Sequence, residues 1–267
     1  MSPPSTPGFS ARVRHAEHVM GTVVSFDVPS GARGDGSLDS AIRWLHRADE
    51  VFSTYREDSD ISRIARGDAA VADCAPEVAG VLAAAEFLRE SSGGYFTVYP
   101  AGQLDPSGYV KGWALERAAR ILAGAGSVSH VVNGGGDVQA VGARPGTAGR
   151  AGGDWRIGIA SPLAPGALAL VVAGRDFAVA TSGTAERGAH IWNPVAGRPA
   201  AGLASVTVVG PSLTLADAYA TAAFAMGTAA MGSRDWIESL DGYEAYAILP
   251  DGGTWQTSGF AGYIPAD

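Results

Sequence analysis

The chain has almost no cysteine. Cys74 stands alone among 267 residues, which excludes an internal disulfide and a thiolate metal cluster. Histidine is scarce too. His15, His18, His46, His130 and His190 include no HxH or HxxxH pair, the spacings that would point to zinc. A metal, if used, should be a hard cation held by oxygen ligands. Charged residues make up only 17% of the chain, and the formal net charge is −8. With no basic cluster to offset that balance, nucleic acid is not expected as a partner. No apolar run approaches the ~20 residues of a membrane span, so no membrane insertion is expected. Residues 1–10 are rich in Pro and Ser, without the apolar stretch of a signal peptide and without a lipobox cysteine. The expectation is a cytoplasmic protein with a disordered tail over residues 1–12. Nucleotide-fold fingerprints are missing as well. After Gly134 and Gly136 the third position of a dinucleotide-binding turn holds Gln139, and there is no P-loop.

What is present is an apolar fraction of 46%, enough for a substantial core. Residues 19–28 alternate and read as a first strand. Leu38, Ile42, Leu45, Ala48 and Phe52 recur at helical spacing and predict a helix over 37–52. A polar loop over 53–60 follows, then a second helix over 75–91 stopped by Gly93 and Gly94, then a short strand over 95–99. Strand patterns recur at 130–133, 137–141, 155–160, 167–172, 177–180 and 204–209, with helices over 213–226 and 236–240 and a closing hairpin around Asp251-Gly252-Gly253. No repeat or linker divides the chain. The reading is one α+β domain over 13–267, with strands clustered late.

Chemistry concentrates in a few places. Asp105-Pro106-Ser107-Gly108 is turn chemistry, and the helical pattern after it places Lys111 at a helix start, a setting that favours anions and phosphates. Asp217 and Thr221 lie four apart on a helix, so both oxygens face one way. That suits Mg²⁺, although Thr214-x-x-Asp217 also fits an N-cap to N3 arrangement. An imidazole ordinarily has its pKa near neutrality, which makes His190 a candidate general base, or it is a loop histidine bonded to backbone. Asp105 and Asp137 could each bind a polar ligand or cap a turn. The three glycines 134–136 make either a hairpin or a close approach to a ligand. Tyr55 reads alone as a surface loop residue.

Together these segments resemble the ApbE family of flavin transferases, the FAD:protein FMN transferases. The likeness runs in order from about residue 18 to about residue 250. Met20-Gly21-Thr22 is similar to the family's MGT, Ser53-Thr54-Tyr55-Arg56 with Asp58-Ser59 to its STYRxDS loop, and Gly94-Tyr95-Phe96 to its GxFDPT turn. Leu104-Asp105 through Lys111-Gly112-Trp113-Ala114 resembles LDxGGxAKGYA, and Asn133 to Asp137 resembles NxGGD. Ala180-Thr181-Ser182-Gly183 resembles ATSG, His190-Ile191 with Pro194 and Gly197 resembles HIxDPxTG, and Ala216-Asp217-Ala218 with Thr221-Ala222 resembles ADAxxTA.

The resemblance implies an ApbE-like fold of mixed and antiparallel sheets packed with helices. It implies FAD contacts at Met20, Tyr55, Asp105 and Lys111, with Tyr95, Phe96, Thr97 and Ile191 lining the flavin site. Asp217, Thr221 and the Gly108 carbonyl would hold Mg²⁺ or Mn²⁺. The implied reaction is transfer of FMN from FAD to a Thr or Ser hydroxyl of an acceptor flavoprotein, with release of AMP. His190 is the first candidate for the base and Asp217 the second. Hydrolysis of FAD to FMN and AMP, and non-catalytic FAD binding, are the alternatives. Thr97 and Asn193 stand where the family has Asp, and the connection from Phe96 to Asp105 is short.

Overall fold

The computed structural model describes residues 11–146, 152–184, 191–228 and 232–266. It opens with a hairpin, β1 (Arg12–Val19) and β2 (Thr22–Pro29), in place of the single strand expected over 19–28. The turn is Met20-Gly21, with φ of 57° and 68°. Two positive φ angles let a two-residue turn follow the right-handed twist of its strands. The usual Asn-Gly signature is absent, which is why the reversal is hidden in the sequence. β1 already includes Arg12, which the sequence reading had assigned to the tail.

Short α1 (Gly31–Gly34) leads to α2 (Ser37–Phe52), which matches its expected span and buries Leu38, Ala41, Leu45, Ala48 and Phe52. α3 (Asp60–Arg66) is capped by Ser59, whose Oγ accepts the Ser62 N–H at 3.0 Å. α4 (Pro76–Ser91) begins with proline at its first turn. The stretch 95–99 is not a strand. Ser92 Oγ takes the Phe96 N–H and Thr97 Oγ1 takes the Tyr99 N–H, both at 2.9 Å. Local hydroxyl acceptors claim the donors that a sheet would have used. α5 (Ser107–Gly124) then begins a full turn before Lys111, so the lysine sits inside the helix rather than at its start.

The remaining elements are β3 (His130–Gly134), β4 (Asp137–Val141), β5 (Trp155–Ala160), β6 (Leu168–Gly174), β7 (Phe177–Gly183), β8 (Trp192–Asn193), β9 (Arg198–Pro199), β10 (Ser205–Gly210), α6 (Leu213–Met226), α7 (Ser233–Glu238), β11 (Glu244–Ile248) and β12 (Thr254–Gln256). Eight strands form one antiparallel sheet in the order β1-β2-β3-β4-β7-β10-β11-β12. β5 and β6 make a separate ribbon, and β8 with β9 a minimal hairpin. The α+β class with antiparallel sheet packed on helices is therefore the observed one.

Period-two alternation decides what each face meets. Val24, Phe26, Val28, Val132, Ala178, Ala180, Val206 and Val208 pack with the helices in the main core. Phe177, Val179 and Val209 point the other way, against Trp155, Ile159 and Val172 of the ribbon. Small residues let α5 and α6 approach closely. A Cβ at Gly112 would lie 2.6 Å from the Leu213 carbonyl oxygen and 2.8 Å from Asp217 Cβ. Gly108, one turn earlier, faces Thr221, and Glu116, one turn later, meets Ser212 and Thr214. The two helices therefore run antiparallel.

Candidate active site

Three elements converge on Lys111. Asp217 leaves α6 toward α5, where its Oδ2 accepts the Gly112 N–H at 2.9 Å and its Oδ1 stands 3.2 Å from Lys111 Nζ. The helical acceptor for that N–H would be the Gly108 carbonyl, so sharing it with Asp217 leaves the Gly108 oxygen capacity for another partner. Asp137 is the first residue of β4. Val138 pairs with Val179, which turns Asp137 to the helix side of the sheet together with Ala178 and Ala180 of β7. Its Oδ1 accepts the Thr181 N–H at 3.0 Å, and its Oδ2 forms an ion pair with Lys111. Both carboxylates are withdrawn from solvent, with Asp137 1% and Asp217 4% exposed. A buried carboxylate persists only when paired or hydrogen-bonded, and each of these has one backbone N–H and the shared ammonium.

Thr221, one turn beyond Asp217, stands beside Gly108. A Cβ at Gly108 would come 3.4 Å from Thr221 Oγ1 and 3.7 Å from the Phe96 ring. Among the described residues the one hydrogen-bond contact of Thr221 Oγ1 is a long 3.5 Å approach to Ser182 Oγ. Ser182 lies within β7, which runs past the strand expected over 177–180. One carboxylate oxygen, one hydroxyl and one backbone carbonyl form a hard-donor set that suits Mg²⁺ or Mn²⁺. Among the described residues no group of three or more His, Cys, Asp or Glu is placed to cage a metal.

The capping alternative for Asp217 does not hold. The N-cap of α6 is Ser212, which accepts the Leu215 N–H, and Thr214 turns its hydroxyl to Glu116 Oε2 at 2.6 Å. Glu116 also takes the Ser212 hydroxyl at 2.6 Å and the Thr214 N–H at 2.8 Å, and pairs with Arg120. Burial pushes the Glu116 carboxyl up, but the Ser212 and Thr214 hydrogen bonds outweigh it and hold the pKa below the ordinary value. Sequence reasoning missed this anchor, and it left Asp137 between binding a polar ligand and capping a turn without the Lys111 pairing. The spacing of Glu116 from Lys111 carries no recognisable pattern.

The other expected site residues divide. Met20 lies at the β1–β2 turn, next to the Gly135 turn, where Thr22 Oγ1 would be 3.2 Å from a Cβ at Gly135. Gly135 and Gly136, with φ of 59° and 87°, make the β3–β4 connection the hairpin that was one of the two readings. Phe96 is buried beside Gly108, while Tyr95 and Ile191 are half-buried. Asp105 stands just before Pro106, the N-cap of α5, and its Oδ1 accepts the Ser107 N–H at 2.9 Å in a local turn. Thr97 is spent on its own turn. Asn193 accepts the Ala196 N–H at 2.8 Å, a task that Asp would perform equally. Tyr55 is 92% exposed and is not gathered into the cluster. His190 lies outside the described residues.

The fold is an antiparallel sheet with helices on one face, and on that side the Lys111 ammonium meets the carboxylates of Asp137 and Asp217. The chain belongs to the ApbE family, whose sequence model matches residues 20–101 and 99–247. A Rhodobacter capsulatus protein described as FAD:protein FMN transferase is 30% identical over 240 residues, covering 83% of this chain and 40% of that protein. One from Treponema pallidum with the same description is 35% identical over 162 residues, 56% of this chain and 44% of that protein. The chain thus spans less than half the length of these two curated relatives. Among solved structures, an ApbE protein from Thermotoga maritima superposes with a TM-score of 0.82 at 22% identity, over 96% of this chain and 100% of the other. The flavin transferase ApbE from Vibrio cholerae gives 0.79 at 23%, over 95% and 99%. At these identities the likeness establishes the fold. No described helix is long and apolar enough to cross a membrane.

Proposed function

We propose that the chain transfers FMN from FAD to a Thr or Ser hydroxyl of an acceptor flavoprotein, using Mg²⁺ or Mn²⁺, with AMP as the leaving group. The observation that carries this reading is the meeting of Lys111 Nζ with Asp217 Oδ1 at 3.2 Å, beside Thr221 and Gly108. Asp217, Thr221 and the Gly108 carbonyl would hold the ion, which would supply charge neutralisation at the diphosphate. Lys111 would add a second positive charge on the same oxygens, and stabilisation of developing charge is usually the largest contribution in such reactions. The acceptor oxygen forms a bond to the FMN phosphorus as the bond to the AMP oxygen breaks.

A base must take the hydroxyl proton. Asp217 is poorly suited, since both of its oxygens are engaged. His190 is therefore the base in this proposal, next to Ile191, whose carbonyl accepts the Ala200 N–H at 2.8 Å and starts the β8–β9 hairpin. Met20, Tyr55, Tyr95, Phe96, Thr97, Asp105 and Ile191 complete the proposed FAD contacts. Cytoplasmic residence belongs to the same proposal and is checked by cell fractionation.

The test is to incubate the protein with FAD, Mg²⁺ and Thr- or Ser-containing acceptor peptides and to follow peptide mass and AMP release. An FMN adduct that disappears in Asp217→Asn supports the reading. Stoichiometric free FMN and AMP without an acceptor would make the chain a hydrolase instead, and tight FAD binding without either product would make it a carrier.

A further inference from the structure

Lys111 is the only lysine in the sequence, and it is held by two carboxylates of like construction. Asp137 and Asp217 each give one oxygen to a backbone N–H, of Thr181 and Gly112 respectively. Each turns its other oxygen to the same ammonium. Asp137 Oδ2 is buried, and among the described residues its only partner is that ammonium. The Asp217 contact, at 3.2 Å, is longer than the ~2.7–2.9 Å of a strong charge-assisted hydrogen bond. Two carboxylates against one ammonium leave a formal charge of −1.

We propose that Lys111 is a stand-in cation, occupying the Asp217 oxygen until a divalent ion arrives, and that Asp137 is the positioning residue that keeps the ammonium in the pocket after the exchange. This rests on the metal reading of Asp217 given above. On exchange the ammonium leaves Asp217 Oδ1 and stays on Asp137 Oδ2. The formal charge of the group passes from −1 to +1, so the pocket becomes attractive to a diphosphate only once the ion is bound. Without Asp137, Lys111 would have Asp217 as its sole counter-ion and would compete with the ion for it.

A protein with a single lysine makes the test direct. Incorporation of ζ-15N lysine gives one side-chain ammonium resonance, followed as Mg²⁺ alone is added without FAD, while Mn²⁺ affinity is measured by electron paramagnetic resonance. The expected result is a saturable shift of the lysine signal that tracks ion binding. Mn²⁺ affinity should be roughly tenfold tighter in Lys111→Met and several-fold weaker in Asp137→Asn, the scale of gaining or losing one charge-assisted competitor. Asp137→Asn keeps the shape and the lysine, so it tests the exchange even where Lys111→Met fails to fold. An ion that saturates the protein without moving the lysine resonance, or an Asp137→Asn variant with unchanged affinity, overturns the exchange. Unchanged Mn²⁺ affinity in Asp217→Asn instead overturns the metal reading beneath it, so the two failures are distinguishable.

Discussion

Gly112→Ala is the sharpest probe of the contact between α5 and α6. Alanine in a helix interior should stabilise by about 1 kcal/mol relative to glycine. Here the added Cβ would lie 2.6 Å from the Leu213 carbonyl oxygen and 2.8 Å from Asp217 Cβ, so α6 must move outward by several tenths of an ångström. Overpacking of this kind costs about 1–3 kcal/mol. Displacing Asp217 also loses its hydrogen bond from the Gly112 N–H, and bonds to charged groups contribute about 1.5–3 kcal/mol. The net expectation is a loss of roughly 1.5–5 kcal/mol from these terms together. Gly80 in α4 is the control: it is exposed, with nothing within 4 Å of its would-be Cβ. Gly80→Ala should therefore gain about 0.5–1 kcal/mol. Urea unfolding reports both, and Mn²⁺ titration reports whether Asp217 has moved. A Gly112→Ala protein as stable as Gly80→Ala, with unaltered Mn²⁺ affinity, would refute the close-packing argument.

Glu116→Gln should cost about 1–3 kcal/mol at pH 7 by urea unfolding, because one buried oxygen that accepts three hydrogen bonds loses its charge. Because the Glu116 carboxyl is held below its ordinary value, its contribution is full above the unfolded pKa and is lost as pH falls through the folded one. The gap between variant and parent should therefore close in acid. His130 is fully buried, its Nε2 against the Ala119 carbonyl at 3.0 Å and its Nδ1 against Ser127 Oγ at 2.9 Å. Burial holds its pKa below the ordinary 6.5. The neutral ring favours the fold above that value, and stability should fall as pH drops through the folded one; His130→Gln should flatten that slope in urea melts between pH 7 and 5. Tyr55→Ala should leave stability within about 0.5 kcal/mol, as for an exposed residue, while weakening FAD binding measured by fluorescence quenching.

Much of the fold could be read from periodicity where that signal is strong. α2 and α6 were located to the residue, α2 by its apolar stripe and α6 by its Ala-rich run between Pro211-Ser212 and Gly227. The strand over 95–99 failed because Ser92 and Thr97 hydroxyls capture backbone donors locally, which β propensity cannot register. The β1–β2 turn was hidden because a methionine takes a positive φ there, a conformation that residue rarely adopts. The pocket was legible as motifs around Lys111 and Asp217. Their meeting depends on Gly112, whose importance comes from what lies opposite it on another helix. Asp137 stayed open between a polar contact and a turn cap because the sequence shows its flanking glycines but not the strand register that sets its direction.

That register has a consequence for chain length. Gly134 pairs with Asp137 across one turn, Val24 with Gly134 on one side, and Val138 with Val179 on the other. Inserting or deleting one residue inside β4 would swap its inward and outward sides, delivering Val138 to the helices and the carboxylate to the opposite layer. Such an indel should abolish the pocket while leaving the residue inventory almost intact, whereas the same change in the connection between β4 and β5 would leave every pairing of the sheet in step.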